Sequence, residues 1–425
     1  MWLRVSRAVA LAVGAVSGCR ANVYVGGIVT TDAAPLVMPD AQATVDATDA
    51  PPGDGAPAHV FRYLHASGAK IVDSADDEVR LRCINWAGFE TRLGVVDGLH
   101  ASPLDTLVGK IAALHFNCIR LPYCNDAWRD DSIPSKVDAA LSPVMANPAL
   151  ANQTSLAILE AVLTSAERQG LYVILARHAP HADALQYPVW DGTDPMAAPS
   201  LDAQWLADWQ TLAQMGIGHP NLVGFDLHDE PGDPSTWRGG DPLLDWAAAA
   251  ERGAEAILQI HSRLLIVVSG IESANGQKYW PGGNLSSVPA APLAVNPPTQ
   301  LVYASHDYGS GKMYQPWFGD PTFPDNLPAM WDAVFGVVFR DAQAPRPVFV
   351  ASFGDRGDAP GVDAIQADLD ARWMAALVDY LDAHQLSFGY WAFNPSAGGL
   401  TGLLRPGWQD IDEYQRARIA ALLPP

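Results

Sequence analysis

Two short stretches of this sequence carry the side chains most able to break a covalent bond. In the first, the apolar run Leu222-Val223-Gly224-Phe225-Asp226-Leu227 leads to His228-Asp229-Glu230-Pro231. In the second, Pro347-Val348-Phe349-Val350-Ala351 ends on Ser352-Phe353-Gly354-Asp355. A buried strand that finishes on a polar side chain is how a parallel barrel delivers a reactive group to its site. Glu230 can give or take a proton, and Asp229 places a second acid beside it. Ser352 offers a hydroxyl, which attacks only where a base relieves it of its proton.

These ends must be positioned by a regular scaffold, and the chain supplies one. After an opening hairpin (Tyr63 to Gly68, turning into Lys70 to Asp73) short apolar runs alternate with longer helical patterns. The runs are Leu81–Asn85, Asn117–Leu121, Tyr172–Leu175, Val223–Leu227, Leu264–Val268, Leu301–Ala304, Val348–Ala351 and Ser387–Trp391. Helical patterns cover Pro103–His115, Ser155–Gln169, Asp202–Met215, Pro242–His261, Asn326–Ala342, Ala364–His384 and Asp410–Leu422, and the connection after the fifth run is irregular. Apolar runs joined by crossover helices are parallel strands covered on both faces. Eight such units predict an α/β protein built as a single (β/α)8 TIM barrel with a small N-terminal hairpin. No glycine-rich phosphate loop follows any run, which argues against an open doubly wound sheet.

The polar residues then fall where a barrel would use them. Trp86 and Glu90 follow the first run, Arg120 lies in the second, and Arg177-His178 follow the third. Asp229-Glu230 end the fourth, Ser269 and Glu272 the fifth, His306 and Tyr308 the sixth, Ser352 the seventh and Trp391 the eighth. Any one of them alone would be bland. Together, at one end of successive strands, they predict a single converging pocket.

Five segments, Ile84-Asn85-Trp86-Ala87-Gly88-Phe89-Glu90-Thr91, Asn117-Cys118-Ile119-Arg120-Leu121-Pro122-Tyr123, Gly224 to Pro231, Val302 to Tyr308 and Pro316 to Pro324, resemble bacterial cellulases of glycoside hydrolase family 5. Tyr63-Leu64-His65 and Asn394-Pro395-Ser396 fit the same pattern, and the resemblance runs from about Tyr63 to Leu423, nearest to secreted endo-β-1,4-glucanases. It implies that Glu230 is the general acid/base and that Arg120 holds the nucleophile. It further implies that His178, His306 and Tyr308 position sugar and nucleophile, that Trp391 is the floor under a glucosyl ring, and that Trp86 and Trp280 add platforms. The implied partner is a β-glucan oligo- or polysaccharide. No cofactor or metal is implied.

The departures from that family cluster on its chemistry. The nucleophile glutamate is replaced by Ser352, and the asparagine that would bind the sugar 2-hydroxyl by Asp229. An Asp-Arg-His-Arg run reads Ala176-Arg177-His178-Ala179, a strand-end glutamate is Ser269, and a tryptophan beside Trp280 is Pro281. A glycine-bearing stretch reads Ala397-Gly398-Gly399-Leu400-Thr401-Gly402. Retention needs two carboxyls about 5–5.5 Å apart, and inversion a base about 6.5–9.5 Å from the acid. Serine cannot stand in for the attacking carboxylate, because the resulting acetal would be as hard to cleave as the substrate. The expectation is a cellulase-like domain that acts on or binds β-1,4-glucan and is catalytically impaired. A working glycosidase with a relocated carboxylate (Asp355, Glu272, Asp307 or Glu90) is the second reading, and a structural lipoprotein with no sugar ligand the third.

The N-terminus addresses the compartment. Arg4 and Arg7 precede the apolar Ala8–Val16, and Val16-Ser17-Gly18-Cys19 resembles a bacterial lipobox. Residues 1–18 are therefore expected to be a signal peptide, Cys19 a lipidated anchor and 19–58 an Ala/Pro/Asp-rich tether, with the barrel in 59–425. The formal net charge of −21, or 24 − 47 = −23 without Arg4 and Arg7, argues against nucleic acid and anionic membrane surfaces as partners. Membrane contact is expected through the lipid alone, and the barrel is expected to be a monomer. Cys83, Cys118 and Cys124 remain; Cys83 and Cys118 read as small buried hydrophobes, with one disulfide possible.

Overall fold

The computed structural model describes residues 59–128, 142, 144–182, 189–190, 202–357 and 359–424. The expected signal peptide, Cys19 and the tether lie outside the described residues.

A hairpin of β1 (Leu64–Ser67) and β2 (Lys70–Asp73) opens the described chain. The barrel strands are β3 (Arg82–Asn85), β4 (Cys118–Cys124), β5 (Tyr172–Ala179), β6 (Leu222–Asp226) and β7 (Leu265–Ser269). A small hairpin, β8 (Ser273–Ala274) and β9 (Gln277–Lys278), interrupts the series before β10 (Leu301–Tyr308), β11 (Val348–Gly354) and β12 (Ser387–Trp391). The eight close in the order β3-β4-β5-β6-β7-β10-β11-β12, every pair parallel. All eight expected runs are strands, and β5, β10 and β11 continue past them to carry polar residues inside the ladder.

Helices α1 (Leu104–Ala113), α2 (Ser155–Arg168), α3 (Asp202–Gly216) and α4 (Trp246–Leu258) follow β3 to β6. The predicted helix at 326–342 is α5 (Leu327–Trp331), a π turn over Asp332–Gly336, and α6 (Val337–Phe339). Then come α7 (Ala364–Ala383) and, after the short hairpin β13 (Ser396–Ala397) and β14 (Leu400–Thr401), α8 (Glu413–Arg418). Side-chain caps set several helix starts: Thr154 accepts from Ala157 N, Asp245 from Ala248 N and Asp363 from Gln366 N. The cap at Asp245 explains why α4 starts later than the predicted Pro242.

Two apolar layers result from the period of two along the strands. Cys83, Cys118, Ile174, Val267, Val302, Ala304, Phe349 and Ala351 fill the barrel, and Leu64 and Ile71 of the hairpin join them. Ile84, Ile119, Val173, Ile266, Tyr303 and Val350 face outward against the helices. Cys83 and Cys118 lie opposite one another in the β3–β4 register and form a disulfide. Their reading as small hydrophobes is thus corrected, since position within an apolar run hides the cross-strand neighbour. Cys124 is free and buried.

Candidate active site

The inward alternation that fills the core also delivers the site. Two residues beyond Cys118 is Arg120, and Ala304 is followed at the same spacing by His306 and Tyr308. Arg120 is fully buried. It donates from Nε and Nη2 to Asp226 Oδ2 (3.1 and 2.8 Å), from Nη2 to Asp229 Oδ1 (2.5 Å) and from Nη1 to Asn85 Oδ1 (2.9 Å). Burial alone would weaken its charge, but the two aspartates outweigh that and hold the guanidinium firmly protonated. Burial likewise pushes the Asp229 carboxyl up; Arg120 first, then His306 and His178, bring it well below the usual range. Asp226, deeper in the barrel, stays above its ordinary value because its burial outweighs Arg120.

Glu230 has a left-handed backbone, φ +53°. That conformation costs a non-glycine residue about 1–3 kcal/mol, which the surroundings must supply. Gly282 backs it: a Cβ there would stand 2.8 Å from Glu230 Cα, and Gly282 N donates to Pro231 O at 2.9 Å. The Glu230 carboxylate lies 3.4 Å from His306 Nδ1, while His306 Nε2 is 3.7 Å from Asp229 Oδ1. Burial raises Glu230 and Asp229 adds to this, yet the His306 hydrogen bond and the Lys312 charge prevail, leaving its pKa lowered. Asp229 thus opposes ionisation of Glu230, as a like charge must, and is outweighed there by His306 and Lys312.

Across His306 and Tyr308 from Glu230 stands Ser352. It pairs in register with His306, and its Oγ accepts from the Tyr308 hydroxyl at 2.8 Å. Beside them, His178 Nε2 lies 3.6 Å from Asp229 Oδ2, and its ring is stacked against Trp391 at 6.4 Å between centroids. Burial lowers the His178 pKa despite the neighbouring acids. Trp391 donates from Nε1 to Ala397 O at 2.9 Å, so the β13–β14 hairpin fixes the indole. The structure thus gathers Arg120, His178, Asp229, Glu230, His306, Tyr308, Ser352 and Trp391.

Two predicted platforms are elsewhere. Trp86 is fully buried, donating to Asp97 O and packing edge-on against Phe393. Trp280 is also enclosed: its Nε1 donates to Asp307 Oδ1 at 2.9 Å and its ring meets Tyr308 edge-on. Neither offers a ring face to a sugar. Two other participants escaped the sequence reading, Asp226 and Asn85. Asp226 was absorbed into an apolar run, although a lone acid there was itself a signal. Asn85 also donates to Ala351 O and Tyr390 O, tying β3 to β11 and β12.

The four carboxylates expected as substitutes for the nucleophile all have other work. Asp355 is paired with Arg418. Asp307 points outward, where Trp280, Trp331 and Trp373 donate to it, and burial pushes it up to about 7. Glu272 takes Lys278 at 2.6 Å and the Asp233 amide at 3.0 Å. Glu90 accepts the Gly88 amide at 2.6 Å, and burial lifts it to about 7 with Asp229 as a repelling neighbour. That leaves Asp229. One oxygen of Asp229, one of Glu230 and a nitrogen of His306 lie within 4.8 Å of one another, and Asp229 is itself paired with Arg120.

The family model for cellulase, glycosyl hydrolase family 5, matches residues 72–397, a span that contains Arg120, His178, Asp229, Glu230, His306, Tyr308, Ser352 and Trp391. The chain belongs to glycosyl hydrolase family 5. An endoglucanase of Paenibacillus polymyxa is 34% identical over 374 residues, covering 87% of this chain and 89% of the relative. The major extracellular endoglucanase of Xanthomonas campestris pv. campestris is 34% identical over 368 residues, covering 85% and 71%. Among solved structures, the catalytic domain of that Xanthomonas enzyme has a TM-score of 0.74 at 32% identity, covering 85% of this chain and 99% of its own. An endocellulase of Pyrococcus horikoshii in complex with cellotetraose has a TM-score of 0.75 at 30% identity, covering 86% and 99%.

Proposed function

We propose that the cleft binds β-1,4-glucan chains and that hydrolysis in it is crippled by the loss of the nucleophile at Ser352. The observation that carries this is the Tyr308–Ser352 hydrogen bond at 2.8 Å, which seats a serine hydroxyl where the family's carboxylate is expected. Three further points support it. The candidate replacement carboxylates are engaged elsewhere. Glu230, the proton donor, is held below its usual pKa and so carries little proton to deliver at neutral pH. Trp391, His178 and His306 remain to seat a sugar, and a related endocellulase was solved with cellotetraose. An aromatic floor suits a pyranose because the ring exposes a flat patch of C–H bonds.

The test compares wild type with Ser352→Glu on an aryl β-cellobioside, alongside calorimetry with cellotetraose. Wild type is expected to bind cellotetraose at millimolar ligand and to release no aryl group, and the variant to release it. Equal release by both proteins means that a relocated carboxylate does the work. Absence of heat with any β-glucan favours a structural protein. The relatives include an extracellular enzyme, which supports export of this chain. Among the described residues no helix is long and apolar enough to cross a membrane. Lipid at Cys19 is the proposed anchor, and mass spectrometry of detergent-extracted protein should find acyl chains there. A mature form beginning at any other residue refutes the anchor.

A further inference from the structure

We propose that this site is a synthetic one, transferring a glucosyl unit with inversion from an α-linked donor whose leaving group departs as an anion, such as a glycosyl phosphate, onto a glucan acceptor. The inference rests on the impaired-hydrolysis reading of Ser352.

In a retaining site the two carboxyls face opposite sides of the anomeric carbon, one attacking from the α side and one serving the β-linked oxygen. Here Glu230 and Ser352 lie on either side of His306 and Tyr308, and only Glu230 is an acid. Serine ends at its hydroxyl, where a glutamate would continue to a carboxyl group. The α side therefore has room for an atom already bonded to the anomeric carbon. Ser352 Oγ accepts from Tyr308, so its own hydrogen is available to a departing anion. Lys312, whose Nζ lies 5.4 Å from the centre of the Tyr308 ring, adds positive charge at the rim. Arg120 is committed to Asp226 and Asp229 and stays out of this step.

The bond changes balance without a further reactant. The acceptor hydroxyl oxygen attacks the anomeric carbon from the β side while its proton passes to the Glu230 carboxylate. The bond from that carbon to the α leaving group breaks, and the electron pair leaves with the group toward Ser352 and Tyr308. A β-1,4 linkage forms, and Glu230 later returns its proton to water. Glu230 acts as a base, which suits the ionised form that His306 and Lys312 favour. The product then persists, because its cleavage would need the nucleophile that Ser352 replaces. Loss of one carboxylate and retention of the other thus describe a working direction rather than mere decay.

The experiment supplies α-cellobiosyl fluoride as donor and an aryl β-cellobioside as acceptor to the full chain, and separates the products by chromatography. Wild type is expected to accumulate aryl β-cellotetraoside. Glu230→Gln should lose at least about a hundredfold of that rate, the usual contribution of a general base, and should still bind cellotetraose by calorimetry. Ser352→Glu should hydrolyse instead of accumulating product. If wild type binds cellotetraose, releases no aryl group and still makes no tetraoside, the transfer proposal falls while impaired hydrolysis stands. Transfer that is equally fast in Glu230→Gln also overturns it. If wild type hydrolyses the aryl cellobioside as fast as Ser352→Glu, the underlying reading is itself wrong.

Discussion

Arg120 carries a full charge while wholly buried, and such a charge must be matched nearby. Asp226 and Asp229 match it. The resemblance leads one to expect asparagine at 229 and glutamate at 352, so two departures that look separate in sequence exchange one negative charge between neighbouring walls of the same site. This makes the effect of Asp229→Asn depend on its background. Alone it removes a charged hydrogen-bond partner from Arg120 and should destabilise by about 1–3 kcal/mol. In a Ser352→Glu protein it relieves an excess of buried carboxylates, so it should raise both melting temperature and glycosidase rate. A double-mutant cycle followed by thermal melts and aryl release measures the reversal of sign. Equal destabilisation in both backgrounds would show that the two positions do not share a charge. The residues of this exchange were legible as strand-end polar groups. Trp86 and Trp280 were misread because an indole at a strand end looks the same in sequence whether its face is open or packed. Asp226 was missed because its neighbours are apolar.

Strands and helices explain why so much of the scaffold could be read. Alternation places Cys118 and Arg120 on the barrel interior, and Ala304, His306 and Tyr308 likewise, so core and site share one period. Runs of apolar residues announced the strands; their extension through polar residues in β5 and β10 did not show, because those polar side chains are buried by the pocket itself. Cross-strand neighbours depend on register, which no single run contains, and the Cys83–Cys118 disulfide was therefore left open. This bond closes a loop with a sequence separation of 35 between β3 and β4, the strands that carry Asn85 and Arg120. Loop-closure entropy assigns such a link about 3–4 kcal/mol. Cys83→Ser with Cys118→Ser should lower the urea midpoint accordingly, and dithiothreitol should do the same to wild type. A midpoint unmoved by reductant under denaturing conditions would mean the thiols are unpaired in solution.

At the scale of the whole molecule, acidity and burial act together on stability. The chain has a formal charge of −21 at pH 7, so a rise in pH adds repulsion to an already negative surface. Two buried carboxyls add a sharper effect, since burial raises both Glu90 and Asp307 to about 7, from 4.5 and 3.8. Between those lower values and about 7 the folded state holds protons that the unfolded chain has released. Stability must then fall as pH rises through that interval, by at most about 1.4 kcal/mol per pH unit for each group. Asp229 acts in the opposite sense: its lowered pKa contributes stability above the unfolded value of 3.8, and that contribution is lost as pH falls toward its folded value. The two effects oppose one another, Asp229 favouring the folded state as pH rises from acid and the buried pair disfavouring it as pH rises toward 7. Thermal melts from pH 4 to 8 should show the melting temperature declining toward the alkaline end. Glu90→Gln should flatten the decline, because the substitution keeps a neutral acceptor for the Gly88 amide and removes the ionisation. General surface repulsion would leave the slope of that variant unchanged, which separates the two causes. A melting temperature that climbs steadily from pH 5 to 8 would show that both buried carboxyls are ionised in the folded protein, and with it that Glu90 can serve as a base in the cleft after all.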